Sequence, residues 1–230
     1  MSVLIGIPSV RATISCATAA TLMRLTTILN SRSIRYKFSW VSYAEVAAAR
    51  NILAAEFLEG DYDTFIGIDD DVGIGPIALQ MLLDHNSPVV GVYLPQRTID
   101  LTAFENAIVA GMRGKNARFA VAPYIGCYAN SKNPEYGTIG KVEFIGTGFH
   151  IVQRTVLETI IERELAPELR TTTHNFDKKM YGFFNNIVDE NGAELSEDFS
   201  FCRRVTEAGF DVHAYLGPGI THTGTMSFES

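Results

Sequence analysis

Two hydrophobic periods alternate along the first part of the chain. Val3-Leu4-Ile5-Gly6-Ile7 is a continuous apolar run stopped by Pro8-Ser9, and Thr64-Phe65-Ile66-Gly67-Ile68 is a second. Runs of this length read as strands covered on both faces. In Tyr36-Lys37-Phe38-Ser39-Trp40 aromatic and polar residues alternate, which is a strand period. Between these runs, Thr18 to Asn30 reads as a helix. So does Ala44 to Glu59, rich in Ala, Glu and Leu, with Gly60 where it would stop. Pro76 opens a short helix to Asp84, in the first-turn position that suits proline, and Val89 to Tyr93 is a fourth strand. The alternation predicts the α/β class, with a mostly parallel central sheet and helices on both faces.

The second half is mixed. Thr102 and Glu105 have capping-box spacing ahead of a helix to Met112, and Thr155 and Glu158 have it ahead of a helix to Glu164. Tyr124 to Gly140, rich in Gly, Asn, Pro and Tyr, reads as a loop. Lys141 to Ile145 and Phe149 to Val152 read as strands flanking Gly146-Thr147-Gly148. Asp189-Glu190-Asn191-Gly192 is a turn pattern. Ser196 is placed to cap a helix ending at Gly209, and a last strand, Val212 to Leu216, leads to Pro218, Gly219 and His222.

Composition narrows the class. Hydrophobic residues are 47% and charged residues 20% of the chain, which suits a folded globule and not a disordered one. The net charge of −7 argues against a nucleic-acid-binding surface, although a divalent cation would let a nucleotide bind. Cys16, Cys127 and Cys202 form no CxxC pair and are expected to be buried thiols of a reducing compartment. The N-terminus enters an apolar strand without a basic leader. The stretch from Ala12 to Leu29 carries Arg24 and many threonines, so no integral membrane segment is expected. These features predict a soluble, cytoplasmic protein.

The chemistry starts at Asp69-Asp70-Asp71, directly after a buried strand, where parallel α/β sheets bind ligands. Three adjacent carboxylates repel one another, and desolvating them is costly without a cation. In an extended segment Asp69 and Asp71 would share a side and converge on Mn²⁺ or Mg²⁺. A solvated acidic turn is the competing reading.

Phe65-Ile66-Gly67-Ile68-Asp69-Asp70-Asp71 resembles the DxD element of GT-A glycosyltransferases, which bind a nucleoside-diphosphate sugar through a divalent metal. Ala48-Ala49-Arg50-Asn51 resembles an "ARN" segment one helix before that element. Ser196-Glu197-Asp198-Phe199, with Cys202-Arg203-Arg204 and Gly209, resembles the "ED…R…G" helix, and His222 falls where some members place a histidine ligand. The stretch from Pro95 to Gly140 matches nothing in that family.

The resemblance implies a single GT-A-like domain over 1–230, with a nucleotide-binding half at about 1–94 and an acceptor-binding half at about 95–230. It implies a metal-dependent glycosyltransferase acting on a UDP- or GDP-linked sugar and a glycan or other hydroxyl acceptor, with inversion. Metal ligands would be Asp69, Asp71 and His222. Donor contacts would come from Pro8, Ser9, Arg50, Asn51, Asp69, Asp70, Arg97 and the Gly146-Thr147-Gly148 backbone. Asp198 would be the general base, with Glu197 as the alternative. Each has a plainer reading: acidic residues at a helix start complement its dipole, an exposed arginine is solvated, and glycines make turns. Tyr181-Gly182-Phe183-Phe184 is an acceptor platform or part of the core. Three rival functions remain: a sugar-phosphate nucleotidylyltransferase, a TOPRIM-type nuclease or phosphotransferase, and a degenerate sugar-nucleotide or glycan-binding module. The first would want a Gly-rich basic loop after the first strand, where this chain has Pro8-Ser9-Val10-Arg11.

Overall fold

The computed structural model describes residues 1–98, 100–113, 124–125, 133–170, 179–188 and 190–224. Cys127, Asp189 and much of the expected loop after Tyr124 lie outside them.

A seven-stranded sheet runs through both halves of the sequence, in the order β2-β1-β3-β7-β5-β10-β6. Its strands are β1 (Ser2–Ser9), β2 (Arg35–Ser42), β3 (Thr64–Ile68), β5 (Val89–Val92), β6 (Thr138–Val142), β7 (Gly146–Gln153) and β10 (Val212–Leu216). β2, β1, β3, β5 and β10 run one way, while β7 and β6 run the other. This is the α/β, mostly parallel arrangement expected from the alternating apolar runs, with the antiparallel strands confined to the second half. β7 stands between β3 and β5, so the two parallel blocks meet only through it.

The strand period sorts side chains onto two cores. Val3, Ile5 and Ile7 of β1 face one side with Ile66, Ile68, Val90, Val92 and Ile151, under α1 (Cys16–Ser31) and α3 (Pro76–Asp84). Leu4, Phe65, Val89 and Val152 face the other side, under α2 (Val46–Glu59), α5 (Arg154–Glu162) and α6 (Glu197–Glu207). Phe57 and Phe65 are almost wholly buried there, and each contributes about 1.5–3 kcal/mol of hydrophobic stabilisation. Gly6 and Gly67 make room for this packing. A Cβ at Gly6 would lie 2.7 Å from the Phe65 ring, and one at Gly67 would lie 2.2 Å from the His150 ring.

The middle of α2 is buried on most of its circumference. Ala49, Arg50, Asn51, Ile52, Leu53, Ala54, Ala55 and Phe57 are all buried, because a two-stranded ribbon of β8 (Glu168–Leu169) and β9 (Met180–Tyr181) covers the side away from the sheet. That explains its alanine content, since small side chains let the backbone lie close on both sides.

Several sequence expectations are corrected at element ends. α4 (Leu101–Val109) is capped by Asp100, and α5 follows Gln153, so neither Thr102 nor Thr155 is a cap. Ser196 precedes α6 but makes no side-chain cap bond. The strand expected at Lys141 to Ile145 instead spans Thr138–Val142, which takes in the end of the expected loop. Gly146-Thr147-Gly148 opens a strand rather than forming a turn. Cys16 is exposed, whereas Cys202 is buried and its thiol is pushed up to about 12 by that burial. No helix among the described residues is long and apolar enough to cross a membrane.

Candidate functional site

A cleft of about 690 Å³ opens at the carboxyl edge of the sheet. Pro8, Ser9, Arg11, Arg50, Asp69, Asp70, Asp71, Arg97, Gly148, Glu197, Asp198 and His222 line it. α1, α2 and α6 all begin at this edge, so their N-terminal dipole ends favour anions there. Residues far apart in sequence meet because strand ends and helix starts share one rim.

The acidic triplet is a turn, not an extended segment: Val72 N donates to Asp69 O at 3.3 Å as the chain enters β4 (Val72–Ile74). Alternation therefore fails, and the three carboxylates diverge to separate partners. Asp69 turns to Arg50, whose Nη2 lies 3.0 Å from Oδ1 and 2.9 Å from Oδ2. Asp70 accepts from Ser9 Oγ at 2.7 Å, and its carbonyl takes Ser15 N and Thr18 Oγ1 from the start of α1. Asp71 faces Arg97 Nη1 at 2.6 Å and His222 Nε2 at 3.4 Å.

His222 reaches Asp71 through sheet pairing. β11 (Ile220–His222) lies antiparallel to β4, with His222 opposite Val72, and Thr223 N donates to Asp71 O. Gly219, at φ +89, makes the bend that allows this return, and its carbonyl accepts from Gly75 N at 2.7 Å. The Nδ1–H of His222 donates to Pro95 O at 2.8 Å, which leaves Nε2 toward Asp71. Burial works against a charged His222 ring, but the bonds to Asp71 and Pro95 outweigh it and raise its pKa. Burial likewise opposes the Asp71 charge, and His222 and Arg97 outweigh it and hold that carboxyl below its usual range.

Arg50 is the hub of the deeper wall. Its side chain is 4% exposed, and Nη1 lies 3.2 Å from both Glu197 Oε1 and Asp198 Oδ1. Its own burial opposes its charge, but Asp69 and Asp198 outweigh that and drive its pKa upward. Burial pushes the Asp69 carboxyl up to about 6, with Arg50 pulling the other way. One guanidinium thus faces three carboxylates, and the cleft as a whole carries more acids than bases.

That excess of negative charge bears on the expected metal. Among the described residues no three His, Cys, Asp or Glu side chains converge as a complete cage. Asp71 and His222 nevertheless fit as a two-ligand half-site. Their facing atoms stand 3.4 Å apart in one cleft, and a carboxylate oxygen with an imidazole nitrogen is a donor set that a divalent cation accepts. The Pro95 bond fixes the histidine tautomer, with Nε2 toward Asp71. Asp69, expected as a further ligand, gives both oxygens to Arg50 instead.

Three expected donor contacts do not line the cleft: Asn51, Gly146 and Thr147. Asn51 is 1% exposed and staples α2 to the following layer, accepting from Phe184 N and donating to Asn185 Oδ1. Phe183 and Phe184 are core residues rather than a platform. Thr147 bonds Asp198 from behind, a contact that sequence spacing gave no sign of. Arg11, on the loop after β1, lines the cleft and was not singled out as a ligand residue from the sequence.

No family model and no curated protein matches the chain. Among solved structures it is similar to A197 from STIV, at 21% identity and TM-score 0.48, over 98% of this chain and 87% of that one. It is also similar to a Drosophila β1,4-galactosyltransferase 7 mutant in complex with manganese, UDP-Gal and xylobiose, at 10% identity and TM-score 0.43, covering 96% and 71%. A third is the inositol-1-phosphate CTP transferase from T. maritima, at 9% identity and TM-score 0.40, covering 95% and 88%. The sheet of this chain is of the α/β, mostly parallel class.

Proposed function

We propose that this chain is a metal-dependent glycosyltransferase that moves a sugar from a UDP- or GDP-linked donor to an acceptor hydroxyl, with inversion. The observation that carries the reading is that the Asp71–His222 pair and Asp198 line the same cleft. Every bond to Asp198 among the described residues ends on Oδ1, which leaves Oδ2 to work as a base. In the transfer step the acceptor oxygen bonds to sugar C1 as its proton passes to Asp198 Oδ2. The C1–O bond to the diphosphate breaks, and its electrons leave on the phosphate oxygen.

Asp71 and His222 would hold Mn²⁺ or Mg²⁺, with Asp69 close by as an anionic neighbour. The ion, when bound, supplies Lewis-acid stabilisation of the leaving diphosphate. Arg97 is 53% exposed, long enough to turn from Asp71 to a phosphate. Pro8 and Ser9 at the end of β1, with Asp70 bonded to Ser9 from the turn after β3, suit the ribose or base. Glu197 sits beside Asp198 as the alternative base. In this reading the nucleotide rests on residues of about 1–94 and the acceptor on 95–230, within one domain.

Arg11 in the cleft favours one other reading, a nucleotidyltransferase whose β1 loop grips a triphosphate. One assay separates them. A panel of UDP- and GDP-hexoses with Mn²⁺ and simple glycosides should release nucleoside diphosphate. Pyrophosphate release from NTP and a sugar 1-phosphate, without diphosphate release from the panel, would overturn the transferase assignment.

A further inference from the structure

We propose that Thr147 is a positioning residue for Asp198, holding Oδ1 from behind so that Oδ2 alone is presented to the acceptor; the inference rests on the transferase reading above. Thr147 has no exposed surface and does not line the cleft. Its backbone N donates to Asp198 Oδ1 at 3.0 Å, and its Oγ1 donates to the same oxygen. Arg50 Nη1 adds a third donor at 3.2 Å. Three donors on one carboxylate oxygen fix both the rotamer and the plane of the carboxyl group.

The backbone explains why this N–H is available. The register between β5 and β7 slips at Gly91/Val92, passing from Gly91 opposite His150 to Val92 opposite Gly146. Thr147 falls in the slipped stretch, so its amide turns out of the ladder toward α6. From the other side, the Thr147 carbonyl takes the Nδ1–H of His150 at 2.7 Å. Burial and the Arg50 charge push the His150 pKa down to about 4, so its ring is neutral with the proton on Nδ1. Thr147 is therefore anchored on its carbonyl side while its amide and hydroxyl hold Asp198.

A valine would fill this site with nearly the same shape and no hydroxyl to satisfy, whereas a buried hydroxyl without a partner is costly. The hydroxyl therefore matters through its partner, and a double-mutant cycle tests that. With the hexose panel and water or simple glycosides as acceptor, Thr147→Val is expected to lower kcat by roughly 10–100-fold, with donor KM within about 3-fold. Thr147→Ser should restore kcat to within about 3-fold of wild type. In an Asp198→Asn background, Thr147→Val should lower the residual kcat no further. If Thr147→Val does not fold, as judged by its melting curve, Thr147→Ala carries the same comparison. Wild-type turnover with an unchanged Thr147→Val kcat, or an equal loss in both backgrounds, overturns the positioning role alone. A wild type that releases diphosphate from no donor overturns the transferase reading and this inference with it.

Discussion

Asp69 holds both carboxylate oxygens at 2.9 and 3.0 Å from a single nitrogen of Arg50, while the other terminal nitrogen of that guanidinium lies between Glu197 and Asp198. The cation that the acidic triplet needs is thus partly built into the chain. Removing it strands three carboxylates in a shielded wall. Arg50→Met is expected to lower stability by about 3–5 kcal/mol in urea unfolding. Arg50→Lys should recover only part of that, since one ammonium cannot hold both nitrogens' partners at once. A change under about 1 kcal/mol for Arg50→Met would show that the hub contributes no net stability.

The charge left over at Asp71 and His222 sets an expectation for metal dependence. The Mn²⁺ concentration giving half of the UDP- or GDP-induced rise in melting temperature should increase about 10-fold or more in Asp71→Asn and in His222→Ala. Asp69→Asn should move it less, because that carboxylate is already committed to Arg50. An unchanged Mn²⁺ response in both of the first two variants would remove them as ligands.

The two acids that open α6 are not equivalent. Asp198 is pinned through one oxygen, whereas among the described residues Glu197 is held by Arg50 alone. Diphosphate release is expected to fall by roughly 10²–10⁴ in Asp198→Asn and by under about 10-fold in Glu197→Gln. The reverse order would move the base to Glu197.

His150 gives a pH signature that lies away from the open cleft. Its folded pKa is about 4, against an ordinary value of 6.5, with burial as the main cause and Arg50 adding to it. Below 6.5 the unfolded chain takes up a proton that the folded one refuses. The stability contribution is therefore full above pH 6.5 and lost as pH falls to about 4, to the extent of about 3 kcal/mol. Urea titrations from pH 7.5 to pH 4 should show that loss reduced in His150→Phe. His222, whose pKa is raised, acts in the opposite sense, so the wild-type minus variant difference is the quantity to read.

Arg154 supports α2 from the far end. Its guanidinium donates to the carbonyls of Phe57, Leu58, Gly60 and Tyr62, where that helix ends, and it lies over the Phe57 ring at 4.8 Å. Arg154→Met should cost about 2–4 kcal/mol in unfolding with diphosphate release per folded molecule unchanged. Loss of turnover without loss of stability would give it a role that its position does not explain.

How much of this was legible in the sequence differs between fold and site. β1 and β3 were readable because both of their faces are covered, which demands unbroken apolar runs such as Val3 to Ile7. The clustering of Arg50, the aspartates, Asp198 and His222 at one rim was also readable, from strand ends and the GT-A resemblance. Their pairing was not. Asp69 and Asp71 diverge because β4 begins one residue later and pairs with β11, and no local rule announces a partner that distant. Asn51 and Arg50 are neighbours on a buried stretch of helix, so sequence alone could not tell which faced the cleft and which the covering layer. The caps at Thr102 and Thr155 were misplaced because motif spacing fits more than one register, and Asp100 and Gln153 held the actual starts.

The position of β7 has a consequence for how the chain comes off the ribosome. β3 and β5 are complete early in synthesis, yet the strand that joins them is not made until residues 146–153. Until then β3 has one unpaired edge and β5 has neither of its neighbours, and each open edge is a template for the wrong partner. A fragment ending near Pro95 would keep these edges exposed permanently, and is expected to aggregate rather than bind nucleotide. The insertion that brings Thr147 up to Asp198 also makes the cleft one of the last parts of the molecule to form.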